Sequence, residues 1–181
     1  AKVADDVSQA SVIARLAERL ETHSRQGDLD AVVLDSESLL AMSAETPADR
    51  LHRARALATT QRRYPGALAR HIGPELRRIA GRVRADEAVT SHPRDVALAL
   101  ETLFHCGVPV YDALCRRFVR ALGAAQTEDG SWGGAVTTAI VARALLVSEA
   151  PLWAAIERGL SSLDASITLG AEAAEALTLY R

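Results

Sequence analysis

The sequence predicts an all-α chain of antiparallel helical hairpins, on three observations. Ala and Leu dominate while strand-forming residues are sparse. Proline falls repeatedly at expected helix starts, where no N–H has to be satisfied. Apolar residues recur at three- and four-residue steps between these borders.

The borders give the elements in order. Helices are expected over 3–25, 29–44, 47–62, 66–72, 74–88, 93–105, 109–125, 137–148, 151–163 and 171–180. Thr46 can cap a helix with Pro47 at its first position and Asp49 one turn in. Gly73-Pro74, His92-Pro93, Val108-Pro109 and Ala150-Pro151 repeat the device. Over 93–105, Val96, Leu100, Leu103 and Phe104 share a face. Over 109–125 the expected stripe is Tyr111, Leu114, Phe118, Ala121, Leu122 and Ala125. Helix 137–148 is apolar nearly all round, which places it between two neighbours. A weak repeat near 40 residues suits stacked helix pairs. We divide the chain into N-terminal helices over 1–45, which carry no motif, and a hairpin region over 46–181.

With 181 residues and 49% of them hydrophobic, the chain can form one domain or two small ones. No run is long enough to span a membrane. The first ten residues carry Asp5 and Asp6 and no signal-like apolar block. Cys106 and Cys115 form neither a disulfide framework nor a metal cluster and read as buried thiols. Together these features suit a cytoplasmic protein.

One loop stands apart. Gln126-Thr127-Glu128-Asp129-Gly130-Ser131-Trp132-Gly133-Gly134 precedes Thr137-Thr138-Ala139 and an apolar helix. Three glycines in five residues mark a tightly shaped turn. Gln126 can bond backbone groups at helix ends, and Trp132 can lay its ring on a neighbouring hairpin.

This segment resembles the glutamine–tryptophan repeat of squalene and diterpene cyclases, within the terpene cyclase and protein prenyltransferase family. Arg117, Leu122, Gln126, Gly130 and Trp132 match the pattern, while Phe118 and Ala121 stand where a small and an aromatic residue are usual. Arg158-Gly159-Leu160-Ser161-Ser162-Leu163 looks like a decayed second copy. The resemblance covers about 93–163. It implies hairpins arranged in an α/α toroid, partial here because four or five hairpins are fewer than a closed ring needs. It also implies a structural role for Gln126, Asp129, Gly130 and Trp132. A thioester-domain ring has a similar turn, but its Cys-Gly-Glu-Gln motif is absent.

The same resemblance implies an Asp-x-Asp-Asp-Thr-Ala acid. The nearest segment is His92-Pro93-Arg94-Asp95-Val96-Ala97, in which Arg94 stands at the proton-donating position. An arginine cannot donate that proton near neutral pH. Asp95 is the remaining candidate for a catalytic acid, against a reading as a carboxylate favoured by the helix start. Seven aromatics supply few rings for a cation-handling cavity. Asp5-Asp6 is the one paired candidate for a magnesium site, and it lacks a closing acid; Asp86-Glu87 reads as solvated. His105 beside Cys106 does not make the zinc set of a prenyltransferase.

Charge is unevenly spread. From Arg50 to Arg84 the chain holds ten arginines and one acid, Glu75. This stretch either docks on the acidic N-terminal helices or forms an anion site, because arginine forks suit phosphate oxygens. Arg77, Arg78, Arg82 and Arg94 are the candidate contacts for a prenyl diphosphate. No cofactor is expected beyond a magnesium ion carried by that ligand. Nucleic acid is disfavoured because Tyr64 is the only aromatic there. The alternatives are a non-catalytic helical module that binds a protein partner or the remainder of a larger cyclase, and a polyanion-binding domain using Arg50–Arg84.

Overall fold

The computed structural model describes residues 2–66, 69–86 and 92–164, with side chains described from Val12 onward except those of Ala69 and Asp164. The described residues form eight helices and no strand. They are α1 (Lys2–Gln26), α2 (Leu29–Ala41), α3 (Pro47–Arg63), α4 (Ala69–Ala85), α5 (Pro93–His105), α6 (Ala113–Ala124), α7 (Ala135–Val147) and α8 (Trp153–Asp164). No helix among them is long and apolar enough to cross a membrane. The helix expected over 171–180 lies outside the described residues.

The helix starts follow their capping chemistry. Thr46 accepts from the Asp49 N–H and its hydroxyl lies 2.7 Å from Asp49 Oδ2, with Pro47 at the first position of α3. His92 caps α5 by accepting from the Arg94 N–H through Nδ1, again with Pro at the first position. At three places the structure corrects the expected borders. The helices expected over 66–72 and 74–88 are one helix, α4, which carries Pro74 inside it. The preceding residue, Gly73, has no Cβ to clash with the proline ring, so the helical path survives there at the loss of one backbone bond. Pro109 does not open α6. It lies in the preceding turn, where its carbonyl accepts from the Asp112 N–H, and Asp112 caps the helix through the Leu114 N–H. Likewise α8 begins at Trp153 and not at Pro151.

The chain forms two compact units, Ala1–Arg82 and Val83–Arg181. Position 45 falls inside the first, in the link between α2 and α3. In that unit α1 packs on both α2 and α3. Ile13, Leu20, Val32, Leu39, Leu51 and Leu57 are buried there. Asp35 of α2 is buried and receives Arg19 Nε at 3.1 Å and His23 Nδ1 at 2.9 Å from α1.

In the second unit α7 packs on α5 and α8, and α5 also packs on α6. The near-uniform apolarity of α7 is thus matched by neighbours on two sides, and Thr138 through Leu145 are all buried. The buried stripe of α6 is Cys115, Phe118, Val119 and Leu122, rotated from the expected one. Tyr111 precedes the cap, so helical spacing does not reach it, and it is 75% exposed. Burial pushes the Cys115 thiol up to about 11. Cys106 is half-buried, and neither cysteine is in a disulfide.

Candidate functional site

The glycine-rich turn joins α6 to α7 and is fastened to α8. Gln126 Nε2 donates to the Gly130 carbonyl at 2.9 Å and to the Ala155 carbonyl of α8 at 2.7 Å. Its Oε1 accepts from the Arg158 guanidinium. One side chain therefore closes its own loop and grips the next helix. Trp132 is buried, and its indole N–H donates to the Leu122 carbonyl at 2.7 Å, satisfying a last-turn carbonyl of α6. The Trp132 backbone N–H donates to Thr138 Oγ1 at 2.9 Å, in the first turn of α7. Asp129 accepts from the Ser131 N–H at 3.0 Å and lies 2.6 Å from the Thr127 hydroxyl, and these bonds hold its carboxyl below the usual range.

Two glycines make this tie possible. Gly130 has φ +83°, and a Cβ there would stand 2.8 Å from the Arg158 carbonyl oxygen. Gly159 is the seat of the indole: a Cβ there would stand 2.5 Å from Trp132 Cζ3. The segment around Arg158 and Gly159 thus supplies the surface that receives the turn. Gln126, Asp129, Gly130 and Trp132 act together as a structural fastening.

The arginine stretch divides into two kinds. Arg53 is fully buried; it donates to the carbonyls of Met42 at 2.5 Å and Leu40 at 2.7 Å, and meets Glu75 at 3.0 Å. It closes the C-terminal end of α2, where carbonyls lack helical partners. Burial draws its pKa down from the ordinary arginine value, with the neighbouring Arg78 and Arg82 charges acting the same way. Arg55 lies 3.5 Å from Glu21 of α1, and Arg63 donates to the Arg25 carbonyl at 3.3 Å. Of these, Arg53 is taken into the interior, Arg55 is half-buried and Arg63 is an exposed tie to α1. Arg77, Arg78 and Arg82 are exposed on α4. Arg78 is forked onto Glu75 at 2.7 and 2.8 Å, while Arg77 and Arg82 make no ion pair among the described residues. Arg94 is exposed in the first turn of α5, in the second unit, and Asp95 beside it is half-buried. The side chains of Asp5, Asp6 and Glu87 lie outside the described residues.

No family model, no curated protein and no solved structure matches this chain.

Sequence reasoning missed the ion pair in the second unit. Arg143 of α7 donates to Glu101 Oε2 of α5 through Nε at 3.2 Å and through its terminal nitrogen at 3.0 Å. Both residues are buried. His105 Nε2 lies 3.6 Å from the other Glu101 oxygen. The signal was present: each helix carries one charge of opposite sign inside an otherwise apolar run. A groove of 630 Å³ along α6 was missed as well. Its lining includes Tyr111, Ala113, Val119 and Leu152, with Arg116 and Arg120 on one wall.

Proposed function

We propose that this chain is a terpene-cyclase-like helical-hairpin domain of isoprenoid metabolism that binds a prenyl diphosphate. The observation that carries this reading is the Gln126–Trp132 fastening, whose side-chain bonds and glycine seats do the work the resemblance assigns to that motif. A partial α/α toroid follows as the proposed architecture. The exposed α4 arginines, Arg77, Arg78 and Arg82, take the diphosphate oxygens, with a magnesium ion carried by the ligand. Arg94 is a further contact for a ligand anion. Because Arg94 stands where the resemblance puts the proton donor, the domain does not supply an Asp-x-Asp-Asp acid of its own. Cyclisation would then use Asp95 as its acid or draw one from the remainder of a larger cyclase.

The test is a titration with geranylgeranyl diphosphate of the native chain and of an Arg77→Ala/Arg78→Ala variant. Saturable binding that weakens at least about tenfold in the variant is expected, since two charge-assisted contacts are lost. Absence of binding at millimolar ligand rejects the reading.

A second reading, a non-catalytic module for a protein partner, is favoured by the exposed aromatics Tyr111 and Trp153, the latter 56% exposed. A concentration-independent monomeric mass in solution that captures no partner counts against it. If Arg50–Arg84 instead serves polyanions in general, affinity falls steeply with salt and is indifferent to the isoprenoid tail.

A further inference from the structure

The groove beside α6 has the chemistry of a binding site on residues other than the α4 arginines. Its floor and walls are apolar: Val110, Tyr111, Ala113, Val119, Pro151 and Leu152. It runs between α6 and the turn that enters α8, where Leu152 comes within 3.4 Å of a Cβ placed on Gly123. Its volume, 630 Å³, falls within the range of small-molecule sites. Arg116 and Arg120 are one helical turn apart on the same wall. Both are exposed, and neither makes an ion pair among the described residues. In contrast, Arg84 is forked onto Asp112 at 3.1 and 3.4 Å, and Arg143 is held by Glu101.

We propose that this groove binds a small anionic amphiphile, its apolar chain along Val110, Val119 and Leu152 and its anionic head between Arg116 and Arg120. Charge complementarity selects the occupant. An uncharged chain would leave two neighbouring guanidinium groups without a counter-ion at the mouth of an apolar slot, and a free inorganic anion would leave the slot unfilled. The head is a carboxylate or a phosphate monoester, and the two are separated by the choice of probe. The site lies wholly in the second unit and does not depend on the α4 reading.

The probes are dodecyl phosphate and dodecanoate, each held below its micellar concentration, with dodecanol and inorganic phosphate as matched controls. Binding is followed by calorimetry on the full chain. The expected result is saturable binding of at least one amphiphilic anion, with neither control reaching a tenth of its affinity. Arg116→Gln/Arg120→Gln lowers that affinity at least about tenfold. Ala113→Trp, placed at an exposed lining position, blocks the groove and removes binding while the helical circular dichroism is retained. Ala113→Trp leaves the α4 arginines untouched, so its loss of binding assigns the ligand to this groove and not to the α4 face. The proposal is overturned if neither anion binds, if dodecanol binds as tightly as both, or if Ala113→Trp and the arginine pair variant both bind like the native chain.

Discussion

At Gly159 one added methyl group would stand 2.5 Å from the Trp132 ring, which is buried, so the ring or the helix must shift. Gly159→Ala should therefore cost about 1–3 kcal/mol of stability through overpacking. Urea melts of native and variant chains measure this, and an unchanged midpoint would mean that the indole is not seated on α8. Trp132→Phe removes the bond to the Leu122 carbonyl while keeping much of the apolar volume. A loss of about 1 kcal/mol is expected, because one hydrogen bond is removed while the carbonyl keeps the longer one from the Ala125 N–H at 3.3 Å. Cys115 gives a pH signature. Its folded thiol titrates at about 11, against an ordinary value of 9.0, so the neutral form is favoured in the fold. The resulting stability is complete below about pH 9 and is lost as pH rises through about 11, because the unfolded thiol ionises first. Cys115→Ala should flatten the stability profile across that window. The native thiol should also alkylate far more slowly at pH 9 than after unfolding in guanidinium.

At the scale of elements, capping chemistry was the most legible feature. Thr46-Pro47 and His92-Pro93 open α3 and α5 as their sequences require. Pro109 and Pro151 misled because a proline suits a turn as well as a first helical position, and Asp112 supplied the stronger cap for α6. Gly73-Pro74 has the form of a border, although glycine before proline is also the pair that lets a helix continue. The fastening by Gln126 was legible as to residue but not as to partner, since nothing in the spacing points to Ala155. The Glu101–Arg143 pair went unread because a buried ion pair depends on which helices meet, and α5 meets α7 only in three dimensions. Arg143→Met should cost about 3–5 kcal/mol, since it leaves the buried Glu101 carboxylate with His105, 3.6 Å away, as its remaining ionic neighbour among the described residues. Glu101→Leu/Arg143→Met should recover most of that loss, and chemical denaturation of the three chains checks it.

At the scale of the whole chain, the uneven charge found in the sequence resolves into two populations. Arg53, Arg55 and Arg63 tie the first unit together, whereas Arg77, Arg78 and Arg82 face solvent on α4. Composition shows that arginines are concentrated but cannot show which of them carry the fold, because burial of Arg53 is set by the carbonyls it meets at the end of α2. Arg77, Arg78 and Arg82 are exposed to a ligand, and the central claim rests on them. The most direct test is calorimetric titration of the full chain with geranylgeranyl diphosphate, with inorganic diphosphate as the matched control. Saturable binding of the prenylated ligand, much tighter than that of diphosphate and weakened by Arg77→Ala/Arg78→Ala, is the predicted result. Equal binding of both would reduce the site to an anion-binding arginine face, and no heat from either would contradict the claim.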